Sequence, residues 1–275
     1  MKINANAKIN LGLDIVGERE DGYHLLDMIM VPLRLHDEVE MELAEEDSFE
    51  SNTSLNWDKG NLMYRAAELM RKEYGLSQHF KIKLNKRIPM QAGLAGGSAD
   101  CAAVIKGINE LCNLQLSMDQ LCQIGVRLGA DVPYCLHNKP SRVQGIGEIV
   151  KEIDIKNKYY VLLVKPEEGV STKEVYQRYD SNRHVDIDAL EGQLKEGKPL
   201  KLGNVLEDSA FELLPEIKKI KETAQLMGYE ETLMSGSGSC VFVLSDCPKK
   251  LEKINRYMKK QYNFVLISEI STISV

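Results

Sequence analysis

The sequence predicts an α+β fold, with helices packed against a mostly antiparallel sheet. Three observations predict it. Apolar residues alternate at period two through Ile9, Leu11, Leu13 and Ile15, and again through Phe80, Ile82 and Leu84. Between them Leu62, Met63, Ala66, Leu69 and Met70 recur at helical spacing. A glycine-rich loop then joins a strand to a helix of small residues. The 275 residues, 43% apolar and 28% charged, suit one large or two modest globular domains.

Lys8 to Gly17 reads as a half-buried strand that ends in the turn Glu18-Arg19-Glu20-Asp21-Gly22. Its Asp-Gly pair, followed by the apolar run Tyr23 to Leu35, predicts an antiparallel hairpin. A further strand covers Val39 to Leu43. The helix from Asn61 to Tyr74 stops at Gly75. The strand at Phe80 runs through Pro89 into the glycine-rich loop, and a helix follows from Ser98 to Cys112.

Ser117-x-x-Gln120 forms a capping box for a helix from Met118 to Leu128, with Gly129 placed for a left-handed C-cap. Ala130-Asp131-Val132-Pro133 therefore lie just past a helix end. The stretch Gly145-Ile146-Gly147 leads to the polar segment Lys151 to Lys158, which divides the chain into domains 1–153 and 154–275. The second half opens with the strand Tyr159 to Val164 and a helix capped by Ser171-x-x-Glu174. A longer helix from Phe211 to Met227, strands bracketing a loop at Ser235, and a closing helix and strand complete it.

Composition excludes several functions. The net charge of -6 is dispersed, with one short acidic cluster at Glu45-Glu46-Asp47, which disfavours a nucleic-acid partner. No window approaches a membrane span, and the N-terminus lacks a basic segment followed by an apolar one, so no membrane partner and a cytoplasmic location are expected. Cys101, Cys112, Cys122, Cys135, Cys240 and Cys247 include no Cys-x-x-Cys pair and read as buried reduced thiols. The histidines show no His-Glu-x-x-His spacing, and no structural metal is assigned.

The most informative stretch is Pro89-Met90-Gln91-Ala92-Gly93-Leu94-Ala95-Gly96-Gly97-Ser98-Ala99. Glycines let backbone amides approach an anion, and the helix start adds unsatisfied N–H groups and the positive end of a dipole. Ser98 could cap the helix or reach a phosphate-bound Mg²⁺. The loop lacks the Gly-Lys-[Ser/Thr] end of a Walker A motif and the Gly-x-Gly-x-x-Gly spacing of a dinucleotide site.

Pro-x-x-x-Gly-Leu-Ala-Gly-Gly-Ser-Ala resembles the second motif of the GHMP kinases. Ala7-Lys8-Ile9-Asn10-Leu11 resembles the first, and Met234-Ser235-Gly236-Ser237-Gly238-Ser239 the third, in the right order. With Asp21-Gly22-Tyr23-His24 and Leu128-Gly129-Ala130-Asp131-Val132-Pro133, the likeness narrows to the branch acting on 4-diphosphocytidyl-2-C-methyl-D-erythritol in the non-mevalonate isoprenoid pathway. It implies an N-terminal α/β nucleotide domain, a ferredoxin-like C-terminal domain and an acceptor held between them. It also implies ATP as co-substrate, Mg²⁺, a small-molecule cytidyl diphosphate partner and a monomer or weak homodimer.

Residue by residue, the resemblance assigns Asp131 as base toward the acceptor hydroxyl and Lys8 as the group that orients it, while Pro89 to Ala99 cradle ATP. Taken singly, Lys8 reads as a strand lysine and Asp131 as a turn residue; the joint pattern carries the assignment. Asn10, Tyr23 and His24 match positions that read the cytosine edge, and Tyr176 aligns with an aromatic that stacks on the base. Ser235, Gly236 and Ser237 could hold substrate phosphates or buttress the first loop. Two departures stand out. Asn6 replaces a proline, and Lys139 and Arg142 enter a run of small residues that still ends Gly145-Ile146-Gly147-Glu148; they are read as a surface turn.

Overall fold

The structure is a computed structural model that describes residues 1–20, 22–180 and 182–271. Asp21, part of the expected Asp-Gly turn, lies outside the described residues.

Strands β1 (Lys2–Glu18) and β2 (His24–Ala44) form the predicted antiparallel hairpin, from Lys2 opposite Glu40 to Glu18 opposite His24. The predicted break between Leu35 and Val39 is absent. Asp37 interrupts the apolar pattern but is buried in the strand, where its carboxylate meets Lys86 at 2.5 Å. β3 (Ser48–Ser51) follows, then α1 (Leu62–Tyr74), whose Asn61 cap accepts from the Met63 N–H and whose stop, Gly75, is left-handed at φ 61°. β4 (His79–Asn85) pairs antiparallel with β2 and leads through the loop to α2 (Gly96–Leu111). α3 (Met118–Val126) carries the predicted Ser117–Gln120 capping box. α4 (Val132–His137) and the hairpin β5 (Ser141–Gly145) and β6 (Ile149–Glu152) complete the first half.

The second half contains β7 (Tyr160–Lys165), α5 (Thr172–Gln177), α6 (Ile187–Glu196), β8 (Gly203–Asn204), α7 (Glu207–Leu213) and α8 (Pro215–Leu226). It ends with β9 (Thr232–Met234), β10 (Val241–Ser245), α9 (Glu252–Met258) and β11 (Phe264–Glu269). Ser171 caps α5 as predicted, accepting from the Glu174 N–H.

Among the described residues one sheet runs β3-β4-β2-β1-β8, with β5 on β2 and β6 on β5; the other runs β11-β7-β10-β9. The second has the strand order of a ferredoxin-like unit, with α6, β8 and α7 inserted after its first strand. Backbone bonds at Leu33–Ile270 and from the Ser271 N–H to the Pro32 carbonyl join the two sheets. The α+β expectation holds, and no helix among the described residues is long and apolar enough to cross a membrane.

Register shifts in β1 position the site. Ala5, Leu13 and Ile15 face the core under α1 and α2, whereas Ala7, Ile9 and Leu11 pack with Val161, Leu163 and Phe242 of the second sheet. A one-residue slip turns a strand over. The shifts between Asn6 and Lys8 and between Asn10 and Gly12 thus leave Lys8 and Asn10 facing a cleft.

Four expectations are corrected. α2 begins at Gly96, two residues before Ser98, and its cap position is Ala95, left-handed at φ 56° and without a side-chain cap bond. Ser98 is therefore not the cap. α3 ends at Val126 with right-handed Arg127 as C-cap, so Gly129 is not a left-handed stop, and Asp131 instead opens α4. The single helix from Phe211 to Met227 is two, because Pro215 starts α8 and forces Leu214 out of helical geometry (φ -141°, ψ 88°). Finally, Arg142 is no surface turn residue. It pairs with Asp27 (2.6 Å), Asp188 (2.6 Å) and Glu191 (3.2 Å), tying β5 and β2 to α6. Lys139 does stay at the surface, on Glu152 at 2.9 Å.

Candidate active site

A cleft of about 530 Å³ is lined by the glycine-rich loop, the N-termini of α1, α2 and α4, β1, α5 and the loop after β9. Lys8 lies at its base. Its N–H donates to the Leu94 carbonyl (3.1 Å), and its ammonium donates to Asn10 Oδ1 (2.8 Å) and the Gly93 carbonyl (3.0 Å). Asp131 Oδ2 stands 3.7 Å away. An ammonium this deeply buried (4% side-chain exposure) requires such partners, and its three donors face three acceptor groups. Asp131 is 35% exposed, so its carboxylate opens to the cleft.

Each turn of the loop uses a left-handed residue: Gln91 (φ 52°), Gly93 (φ 68°) and Ala95 (φ 56°). The first N–H bonded within α2 is that of Ala99, to the Ala95 carbonyl, which leaves the N–H groups of Gly96, Gly97 and Ser98 for an anion. Ala99 itself is buried in the core.

The third motif buttresses the loop. Ser235 Oγ donates to the Gly93 carbonyl (3.0 Å), the Ser239 N–H and Oγ both approach the Gln91 carbonyl (3.4 Å), and the Cys240 N–H donates to the Ala92 carbonyl (3.2 Å). Ser235 is fully buried, so of the two expected roles it takes the buttress. Gly236 and Ser237 do reach the cleft, Ser237 with its hydroxyl 2.8 Å from that of Thr172.

At the far end Tyr176 lines the cleft, and the His24 ring stacks on it with centroids 5.6 Å apart and planes at 23°. Tyr179 meets His24 edge-on at 5.8 Å. Tyr23, 61% exposed, sits beside them at the hairpin end. Asn10 is not part of this group. It pairs with Met30 while His24 lies six residues back along β2, about 20 Å of extended strand. Its amide carbonyl accepts from Lys8 and its NH₂ points at Met28 Sδ (3.3 Å), so within the chain Asn10 supports Lys8.

Sequence reasoning missed Lys86, Asp100 and Thr172, which also line the cleft. Lys86 bonds Asp37 and Asp100 (2.8 Å), and Asp37 also accepts from the N–H groups of Arg87 and Ile88, which lead into the loop. Burial pushes the Asp100 carboxyl up to about 7, against the pull of Lys86 and with Asp37 adding to the push. Thr172, directly after the Ser171 cap, carried a local signal. The Lys86 cluster carried none. Asn6 substitutes hydrogen bonds for the missing proline, donating to the Leu33 carbonyl (2.7 Å) and accepting from Asn138 (3.0 Å).

A cradle of free amides, a buried ammonium and an open carboxylate together can hold an anionic group and take a proton from a hydroxyl beside it. Comparison with known proteins points the same way. Residues 61–139 match the model of the GHMP kinases N terminal domain and residues 187–263 that of the GHMP kinases C terminal domain. A Clostridium beijerinckii protein named 4-diphosphocytidyl-2-C-methyl-D-erythritol kinase is 42% identical over 98% of this chain and 99% of its own. A Bacillus cytotoxicus protein of the same name is 39% identical over 94% and 92%. A crystal structure of 4-(cytidine 5'-diphospho)-2C-methyl-D-erythritol kinase superposes with a TM-score of 0.84 at 30% identity, covering 98% of this chain and 99% of that one. Homoserine kinase from Cytophaga hutchinsonii shares the fold, with a TM-score of 0.77 at 19% identity over 98% and 94%.

Proposed function

The chain belongs to the GHMP kinase family, and from that premise we propose that it transfers the γ-phosphoryl of ATP to the 2-hydroxyl of 4-diphosphocytidyl-2-C-methyl-D-erythritol, a step of the non-mevalonate isoprenoid pathway. The observation that carries the reading is the Lys8 ammonium, which touches the phosphate loop at Gly93 and faces Asp131.

ATP lies with its phosphates on the Gly93 to Ser98 amides. Asp131 accepts the hydroxyl proton as the oxygen attacks in line, and Lys8 holds the attacking oxygen and offsets the developing negative charge. Asn10 keeps Lys8 aimed. The His24, Tyr176 and Tyr23 end takes the cytosine, and Gly236 and Ser237 lie along the path of the diphosphate. The Ser98 hydroxyl, on the cleft, is a hard donor that would help the ATP phosphates hold Mg²⁺, which would supply neutralisation of phosphate charge. The division into domains 1–153 and 154–275 is supported by the two matched segments, which fall on either side of it.

ADP release by purified protein over a panel of alcohols tests the reading. Turnover is expected with the cytidyl substrate. Turnover of mevalonate or homoserine without it would sink the substrate assignment. Asp131→Asn is expected to lower kcat by about 10²–10⁴-fold with ATP affinity little changed.

A further inference from the structure

The turn Gly145-Ile146-Gly147-Glu148 joins β5 to β6, and although Ile146 lines the cleft, the reaction outlined above assigns the turn no role. It packs directly against the peptide that precedes Asp131. A Cβ on Gly147 would stand 2.4 Å from the Ala130 carbonyl oxygen and 3.0 Å from its carbon, and Gly147 also has φ 121°. Glycine is required on both counts.

The turn is itself locked. Glu148 Oε2 accepts from the Ile146 N–H at 2.6 Å, and the Gly147 N–H donates to the Gln144 carbonyl at 3.2 Å. Gly145, at φ 73°, leaves room for the Glu148 carboxylate, whose oxygens both lie 2.5 Å from where a Cβ would be.

Asp131 needs such a support. Its side chain makes no cap bond to α4, and among the described residues its ion-pair partner is Lys8 at 3.7 Å. The aim of the carboxylate is therefore set by the backbone at Ala130 and Asp131. β5 pairs with β2 at Leu26–Gly145, and β2 pairs with β1 at Pro32–Lys8. The turn is thus a strut between the sheet that carries Lys8 and the helix start that carries Asp131.

We propose that Gly147 and Glu148 are positioning residues that hold Asp131 in register with Lys8. The proposal rests on the reading of Asp131 as the base. Gly147→Ala moves the Ala130 carbonyl and with it the carboxylate; a misplacement of about 1 Å costs about 10²-fold in rate.

The test is steady-state ADP release by the full chain with the cytidyl substrate, with binding of a non-hydrolysable ATP analogue measured alongside. Gly147→Ala is expected to lower kcat about 10²-fold while ATP KM and analogue affinity stay within about threefold. In an Asp131→Asn background the same change is expected to cost nothing further, because both act through one group. Equal losses in the two backgrounds, full activity of Gly147→Ala, or parallel loss of rate and nucleotide affinity would overturn the proposal. Normal turnover by Asp131→Asn alone removes the base assignment itself, a separate result that also ends the proposal. If Gly147→Ala shows no cooperative thermal transition, the Glu148 pair decides. Glu148→Ala is expected to lose about tenfold in kcat and Glu148→Gln, which keeps an acceptor for the Ile146 N–H, to recover most of it. No difference between the two overturns the proposal.

Discussion

Ser235 and Gly93 interlock: the Ser235 hydroxyl donates to the Gly93 carbonyl at 3.0 Å, and a Cβ on Gly93 would lie 2.0 Å from the Ser235 carbonyl oxygen. The phosphate loop therefore takes its shape from a segment far along the chain. Gly93→Ala, which also places a side chain at φ 68°, is expected to weaken ATP binding at least about tenfold and to lower Tm by several degrees. Calorimetric titration with ATP and a thermal melt check both; unchanged ATP affinity would show that the two loops act independently.

Tyr176 is the ring on the cleft wall, and the His24 ring covers it. Base stacking is worth about 1–3 kcal/mol, so Tyr176→Ala is expected to raise KM for the cytidyl substrate by about 10–100-fold and leave ATP KM alone. Tyr176→Phe should behave as wild type. Competition by free cytidine diphosphate should weaken in step with the substrate.

Asp100 makes stability depend on pH. Its folded value, about 7, lies above the ordinary 3.8, so the folded protein holds the proton more tightly than the unfolded chain. That contribution is fully present below about pH 4 and is lost as pH rises through 7. Asp100→Asn removes it. In urea unfolding the free-energy difference between wild type and variant is expected to shift against wild type from pH 5 to pH 8. A constant difference would contradict the assignment.

Arg142 neutralises Asp27, which is buried, and its guanidinium is held well above its ordinary value, first by the hydrogen bond to Asp27 and further by those to Asp188 and Glu191. Arg142→Met leaves that carboxylate unpaired, a change expected to destabilise the protein by about 3–5 kcal/mol. Chemical denaturation measures it. Asp27→Asn in the same chain should restore part of the loss.

Much of the local structure was legible. The caps at Ser117 and Ser171 need only a side chain and an N–H three residues away, so the sequence contains every atom involved. Pro215 carried an equally local stop signal, but the apolar spacing that continues across it masked the break. The motif residues Lys8, Gly93, Asp131, Tyr176 and Ser237 do line one cleft. That Asn10 bonds Lys8 was not legible, because strand alternation says which face a residue takes and nothing of which side chain on that face it meets. Lys86, Asp37 and Asp100 were missed because buried charge in a strand or helix is recognisable only once its partner is in view.

The sequence by itself determined the order of the motifs, the capped starts of α3 and α5 and the glycine-rich loop, since these depend on periodicity, caps and backbone freedom within a few residues. Tertiary structure alone decided that Lys8 faces Asp131, that Ser235 supports Gly93, that Gly147 bears on Ala130 and that Arg142 ties β5 and β2 to α6. Those relationships depend on strand register, where one residue of slip reverses a face, and on desolvation, which makes a charge tolerable only beside a partner brought from elsewhere in the chain.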